Sequence, residues 1–548
     1  MTSIPKPPDI KEQDRTPLVT NLLEINQLLK ERIQELKDEI ARLKGLKPKP
    51  KIKPSTLEKD ARNTGGGKGS KGDSSKQEGK NGKKKRAGSA KRSKDIEIHK
   101  EEVLKPENLP EGSRFKGFED YTVQGLLIQP FNTLYRRERW VTPEGKTIIA
   151  PLPAEVQALG GHFDRTLTCF ILYQYHHANV TQPLIWEQLR ELGFDISAGQ
   201  VNNIITENND QFHTEKDAIL QVGLEVSKYV NVDDTGARHQ GRNGYCTHIG
   251  NVFFAWFKST ESKSRINFLE LLRAEHKDYV LDDDAIEYMR NNNLPKTQLQ
   301  SLIECEGKTF TDKATWNDAL KNLNITKKRH IRIATEGALF GSVLAYGLNP
   351  ELVIVSDDAG QFNILLHALC WVHAERLINK LVGFNAQHRL ALEDVRSQIW
   401  DFYRELKAYQ KAPSIERKDE LEARFDNIFT THTCFATLNQ ALKRLHRNKS
   451  ELLLVLERPD IPLHNNLSEN DIRDYVKKRK ISGSTRSENG RRGRDTFTSL
   501  KKTCRKLDVS FWQFLNDRLH PQGSIPPLPD IIRQRVKEGN EALQFNTG

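Results

Sequence analysis

Asp233, Asp357 and Glu469 lie far apart in the chain, yet each sits in a segment patterned as a strand end or a helix face. In K-Y-V-N-V-D-D-T-G (residues 228–236), Val230 and Val232 alternate with polar residues before Gly236, which predicts a buried strand delivering a carboxylate at its end. In E-L-V-I-V-S-D-D-A-G-Q-F (residues 351–362) a continuous β-branched apolar run predicts an interior strand of a largely parallel sheet, with acids again where the strand stops. In P-L-H-N-N-L-S-E-N-D-I-R (residues 462–473), Leu467 and Ser468 lead into a helix that can project Glu469 towards a sheet. Hard cations such as Mg²⁺ or Mn²⁺ prefer carboxylate oxygen. Two of them about 3.5–4 Å apart activate an attacking hydroxyl and stabilise the leaving oxygen of a phosphodiester. Three converging carboxylates suffice to hold such a pair. Acids at strand ends and in first helical turns are also common solvated caps, so each residue taken alone is more often a cap than a ligand. Asp234 and Asp358 adjoin the two aspartates, and the register within each pair stays open at this level.

The rest of the chain must position these acids. With 548 residues it calls for about three or four units rather than one core. No apolar run approaches the ~20 residues of a membrane span and no signal-peptide core is visible, so the expectation is a cytoplasmic protein with no membrane partner. Six cysteines without paired spacing (Cys169, Cys246, Cys305, Cys370, Cys434, Cys504) indicate reduced thiols. Residues 45–100 carry 18 Lys plus Arg against 6 Asp plus Glu, which equals the +12 of the whole chain; everything else sums to zero. That segment has almost no large apolar residues and reads as a disordered polycationic linker, able to attract nucleic-acid phosphates without reading sequence. DNA contact is the favoured reading; the alternatives are a solubilising spacer or, in a eukaryote, an import signal.

Before the linker, Leu22, Leu29, Leu36 and Leu43 repeat every seventh residue, with Val19, Asn26, Ile33 and Ile40 three positions earlier. Leu at d, mostly β-branched residues at a and one polar a residue predict a parallel two-stranded coiled coil over 18–44, and hence a homodimer. A single amphipathic helix packed on its own chain is the alternative. Residues 101–152 read as a small irregular or β region punctuated by Gly112, Gly117 and Gly145, and no activity attaches to them. From Pro153 to about residue 222 the pattern is helical. Within it, T-Q-P-L-I-W-E-Q-L-R-E-L-G-F-D-I-S-A-G-Q-V-N-N-I-I (residues 181–205) gives a helix, a stop at Gly193 and a second helix capped by Ser197. This is a helix-turn-helix pattern whose second helix offers Gln200, Asn202 and Asn203 to adenine edges in a major groove, although many helical hairpins bind nothing.

Residues 246–259 supply two more strands of a meander, and residues 262 to about 328 have helical character without evident chemistry. Residues 389 to about 457 read as almost wholly helical, inserted before Glu469. Strands followed by alternating helix and strand indicate a mixed α/β layer with helices on both faces.

Several motifs now combine in order: D-D-T-G at 233–236, D-D-A-G-Q-F at 357–362, C-W-V-H-A-E-R at 370–376, N-N-L-S-E-N-D-I-R at 465–473 and R-K-I-S-G-S at 479–484. Over roughly residues 172–515 the chain resembles a bacterial insertion-sequence transposase of the DDE type, most closely the insertion-sequence-66 family. The resemblance implies a ribonuclease-H-like catalytic core, running from 223 to 384 with an insertion at about 262–328, interrupted by a helical insertion at 385–460 and completed at 461–520 before a tail at 521–548. It places Asp233, Asp357 and Glu469 at the metal-binding, catalytic positions. It implies a transposase that cuts element ends and joins the 3′-hydroxyls to target DNA, with two Mg²⁺ or Mn²⁺ ions, DNA ends and target as partners, a synaptic homodimer and accessory proteins where needed.

The chain departs from the family pattern in three places. The first motif has D-D-T where the family usually has D-E-T; the 262–328 stretch is longer than expected; and no cysteine precedes Cys169, so the cysteine-rich zinc element that often follows the coiled coil is not expected. Cys370 and His373 form C-x-x-H, half of a tetrahedral zinc site at most, and are read as a buried thiol and a histidine near the metal or the DNA backbone. After Glu469 comes a basic run of Arg473, Lys477, Lys478, Arg479, Lys480, Arg486, Arg491, Arg492 and Arg494. Cations there would hold phosphates against carboxylates that repel them. Two rival functions remain at this level: a non-catalytic DNA-binding regulator derived from a transposase, and a ribonuclease-H-like nuclease that cuts without joining.

Overall fold

The computed structural model describes residues 98–106, 110–274, 276–520 and 523–545, with 16, 19, 22, 25, 26, 28, 29 and 33. Of the heptad, Val19, Leu22, Asn26, Leu29 and Ile33 are described and helical, whereas Leu36, Ile40 and Leu43, and the basic linker up to residue 97, lie outside the described residues. Leu22, Leu29 and Ile33 are exposed. The chain divides into two units, residues 50–128 and residues 1–49 with 129–548. In the first, the described residues form neither helix nor strand, with a turn at 111–112 and Phe115 and Phe118 in edge-on contact at 5.1 Å.

In the second unit the strands expected between 101 and 152 reduce to one hairpin, β1 (Arg139–Val141) and β2 (Thr147–Ile149), turned at Gly145 with φ +79°. Three helices follow: α1 (Arg165–His176), α2 (Gln182–Glu191) and α3 (Ala198–Thr206). Asp164 caps α1 by accepting from Leu167 N, Gly193 at φ +88° ends α2, and Ser197 forms a capping box with Gln200 on α3. Ile171, Ile185, Leu189, Ile196, Val201 and Ile205 make their shared core, the helical-period residues of each segment.

After α4 (Asp210–Val226) comes the meander β3 (Tyr229–His239), β4 (Arg242–Gly250) and β5 (Ala255–Thr260). The β4–β5 corner admits only glycine at 250, since a Cβ there would lie 2.5 Å from the carbonyl oxygen of Phe254. The long segment beyond β5 is mostly helix: α5 (Arg265–Leu272), α6 (Asp283–Asn291), α7 (Lys296–Ile303) and α8 (Lys313–Asn322), with β6 (Tyr279–Val280) pairing β7 (Thr309–Phe310). Helix α9 (Lys328–Ala345) then leads to β8 (Val353–Ser356) and β9 (Leu366–Leu369). The five-stranded sheet has the order β5-β4-β3-β8-β9, antiparallel across the meander and parallel from β3 to β9.

This sheet separates two cores, and the strand period of two decides which residue meets which. Val230, Val232 and Ile354 join the core that includes α4, α5 and α9. Val353 and Val355 face the other core, built with α10 (Trp371–Asn379), α11 (Ala386–Tyr409), α12 (Ile415–Phe429) and α13 (Ala436–Arg447). Trp371, fully buried with its indole N–H on the carbonyl of Leu452, anchors that helical group; burying a side chain of this size contributes roughly 3 kcal/mol. Helix α14 (Asn466–Ser482) lies over β3 and β4, and α15 (Glu488–Lys506) covers the edge strand β5. The cover is chemical: Asp495, Ser499 and Thr503, spaced by four, accept from the backbone N–H groups of Ser259, Phe257 and Ala255 at 2.6, 2.9 and 3.2 Å. An edge that would otherwise template strand addition is thereby closed. Helices α16 (Phe511–Leu519) and α17 (Leu528–Phe545) complete the chain. Among the described residues, no helix is long and apolar enough to cross a membrane.

Candidate active site

Strand β3 does not stop at Asp233 as its sequence suggests; it runs on through Gly236 to His239, and Asp233 sits mid-strand opposite His248 of β4. The glycine is absorbed because β4 pairs with β3 along its whole later half. On the other side β3 and β8 are parallel, with Tyr229, Val230 and Asn231 beside Val353, Ile354 and Val355. That pairing ends at Asn231 and β8 stops at Ser356; by strand alternation Asp233 shares the face of β3 that carries Asn231, and Asp357, just beyond the end of β8, is close enough for its charge to act on Asp233. Asp233 and Asp234 therefore point to opposite faces. The carboxylate of Asp234 is taken up by neutral donors, Thr247 Oγ1 and Gln361 Nε2, each at 2.5 Å. Asp358 lies at the surface with Arg444 Nη2 of α13 at 3.3 Å.

Glu469 comes to the same face in the first turn of α14, where the helix N-terminus favours negative charge. Its helix is tied down on both sides. Asn465, buried at the helix start, receives Asn231 Nδ2 at 2.9 Å, donates to the carbonyl of Val232 at 2.8 Å, and has its own N–H on Cys370 Sγ at 3.1 Å. Ser468 Oγ meets His248 Nδ1 at 2.8 Å, and His248 Nε2 stands 3.2 Å from Asp471. Lys506 and Lys502 from α15 reach Asp471 at 2.8 and 3.5 Å, and Lys502 also reaches Asp474 at 2.7 Å. Burial alone would raise the Asp471 carboxyl, but His248 and the Lys506 ammonium hold it well below the usual carboxylate range.

Electrostatics records the convergence. Burial, then the facing charge of Asp357, with smaller contributions from Asp234 and Glu469, push the Asp233 carboxyl well above its ordinary range, although the N–H of Asp234 donates to it at 2.7 Å. Among the described residues no three acidic, histidine or cysteine groups stand close enough together to hold a metal ion as they lie. Glu469 is occupied elsewhere: Arg376 of α10 donates to it at 3.1 and 3.5 Å, and His373 Nε2 is 3.5 Å away. Burial, reinforced by Arg376, lowers the His373 imidazole to about 4, so it is neutral at physiological pH. Burial pushes the Cys370 thiol up to about 11, and with its sulfur accepting the N–H of Asn465 it acts as a packing residue between α10 and α14.

The basic run divides. Arg473, Lys477, Lys480 and Arg486 are exposed on α14 and the loop after it, and Arg479 lies half-buried with Nη1 3.4 Å from Thr235 Oγ1. Lys478 points inward: its ammonium lies 3.4 Å from the ring centroid of Tyr175 and donates to that residue's carbonyl. Arg494 is buried on the carbonyl of Gly483. Lys501 likewise donates to the carbonyl of His176, so two lysines close the C-terminal end of α1. In α3 the Gln200 side chain accepts the N–H of Ser197 at 3.0 Å and is engaged in the cap, while Asn202, 3.3 Å from Gln182 Nε2, and Asn203 are exposed. Asn231, His248, Arg376 and Asn465 had no signal in spacing alone; their roles arise from pairings across more than ninety residues.

Burial brings the Lys478 ammonium down to about 7 and that of Lys501 down to about 8. Both lose their proton more readily folded than unfolded, so their cost to stability is full below the folded value and fades as pH rises towards the unfolded value near 10.4. The melting temperature should rise between about pH 7 and pH 9.5, and Lys478→Met should flatten that rise. An identical pH profile in the variant would remove Lys478 as its source.

Comparison with known proteins adds to this geometry. The transposase IS66 family matches residues 348–492, a stretch that contains Asp357 and Glu469 and begins after Asp233. A curated relative, the uncharacterized protein y4jO of Sinorhizobium fredii (strain NBRC 101917 / NGR234), is 44% identical over 321 residues, which is 58% of this chain and 100% of that protein. With the family pattern spanning the second and third acids, the chain belongs to the IS66 transposase family.

Proposed function

We propose that this chain is a DDE transposase with a ribonuclease-H-like core, in which Asp233, Asp357 and Glu469 hold divalent metal for DNA cutting and strand transfer. What supports this reading most is that Asp233 on β3, Asp357 just beyond the parallel strand β8 and Glu469 in the first turn of α14 come close enough for the charges of the latter two to act on the Asp233 carboxyl. The sheet order, a three-stranded meander extended by two parallel strands, is the frame such a core requires. The donor set fits Mg²⁺ or Mn²⁺ in kind: hard carboxylate oxygens, one of which, on Asp233, is raised above its ordinary range by burial and by like-charged neighbours, a cost that a cation would offset. When bound, two such ions supply a polarised water or 3′-hydroxyl and charge at the leaving oxygen.

The chain's own groups do the rest. Asp233 and Asp357 are fixed by the sheet, while α14 brings Glu469 over them and leaves Arg473, Lys477, Lys480 and Arg486 on its outer side for phosphates. Arg479 reaches Thr235 of β3, two residues beyond Asp233. Helices α2 and α3 act as a helix-turn-helix that offers Asn202 and Asn203 to element ends. The exposed heptad residues Leu22, Leu29 and Ile33 pair two copies through a coiled coil, joining two ends in one complex. The protein works on the nucleoid in the cytoplasm.

The test is a strand-transfer assay in Mg²⁺ with duplexes carrying the element's own terminal sequences. Joined products are expected. Cutting without joining would assign a nuclease instead, and binding without either would assign a DNA-binding regulator.

A further inference from the structure

Arg376 holds one of the three acids directly. Arg376 is 9% exposed, projects from the last turn of α10 and clasps Glu469 with two nitrogens, at 3.1 and 3.5 Å, while Nη1 also meets His373 Nε2 at 3.1 Å. Its Nε is buried and has no hydrogen-bond partner. A guanidinium fork on a carboxylate is among the strongest charge-assisted contacts, and a carboxylate so held is withdrawn from metal ligation. That accounts for three acids that feel one another's charge without forming a ready metal cluster.

The same fork geometry fits a phosphate diester as well as a carboxylate. Lys380, at the C-terminal cap of α10, and Arg444 of α13, which stands against Asp358, form a cationic row with Arg376, close enough for the charges of Arg376 and Arg444 to act on the Lys380 ammonium. DNA arriving along that row meets Arg376 at its inner end.

We propose that Arg376 is a latch: it holds Glu469 in the metal-free protein, and its guanidinium passes to a DNA phosphate when Glu469 turns to metal. This rests on the metal-dependent reading above. Arg376 then couples the two ligands, since each relieves it of a contact the other needs.

Manganese binding to the full chain, followed by the electron paramagnetic resonance of free Mn²⁺, tests both halves without any measurement of activity. Arg376→Gln should bind Mn²⁺ about tenfold more tightly than the wild type, the worth of one charge-assisted hydrogen bond. Unchanged or weaker binding overturns the latch. A duplex of arbitrary sequence should tighten Mn²⁺ binding to the wild type and leave Arg376→Gln unaffected; equal tightening in both overturns the transfer to phosphate. Arg376→Lys keeps the charge and loses the fork, so it should fall between the two, and wild-type affinity in this variant also counts against the latch, even if Arg376→Gln does not fold. Asp357→Ala separates the failures: if it retains Mn²⁺ binding, the metal site itself is misassigned.

Discussion

Asp357→Asn should abolish both cutting and joining of DNA ends, by at least about 10³-fold, the scale of loss when a group acting directly on transition-state charge is removed. The folded protein should not suffer. Asp357 contributes to holding the Asp233 carboxyl above its ordinary range, so the native state near neutral pH carries the strain of ionising Asp233 beside a like charge. With the folded value raised above the unfolded one, that strain is absent in acid and grows as pH climbs through the interval between the two. Removing the Asp357 charge should therefore raise the metal-free melting temperature at pH 7. Mg²⁺ or Mn²⁺ should stabilise the wild type by about 2.7 kcal/mol at a hundredfold excess over its dissociation constant, and the variant far less. Thermal melts with and without metal read both effects together with the strand-transfer assay. A variant that keeps activity, or melts lower without metal, would exclude Asp357 from the site.

Asp471→Ala should cost roughly 3–5 kcal/mol of stability, because it strands Lys506 and Lys502 in a buried setting without their carboxylate. It also releases His248, which anchors Ser468 immediately before Glu469, so activity should fall in Asp471→Asn even where stability is partly kept. Because the Asp471 carboxyl lies below its ordinary range when folded, its contribution is present above the unfolded value near 3.9 and is lost progressively as pH falls below it. Urea denaturation at pH 7 and pH 3.5 measures the difference. A loss under about 1 kcal/mol at pH 7, the range of exposed ion pairs, would mean that water screens this network.

Much of the architecture was legible because it follows local rules. The continuous apolar run at 351–356, the Ser197 cap with the glycine stop before it, and the almost wholly helical stretch from 389 to 457 each became the element their pattern predicts. Boundaries were less legible. Strand β3 overran its glycine because pairing with β4 outweighs the local preference of Gly236, and the strands expected between 101 and 152 shrank to a three-residue pair. The basic run looked uniform as a string, yet Lys478 and Arg494 turned inward while Lys477 and Lys480 stayed out, a division set by helical phase against α1 and α15.

The sequence by itself determined that three acids stand in strand and helix contexts suited to metal-dependent phosphoryl transfer, since residue type and local period are written in the chain. Only the tertiary structure separated the members of each aspartate pair: Thr247 and Gln361 take Asp234 and Arg444 takes Asp358, while the charge of Asp357, just beyond the end of β8, acts on Asp233 of β3. It alone brought Arg376 onto Glu469 and His248 under Ser468. Such contacts join residues remote in the chain, and no local pattern encodes them because packing and register, rather than spacing, bring them within reach.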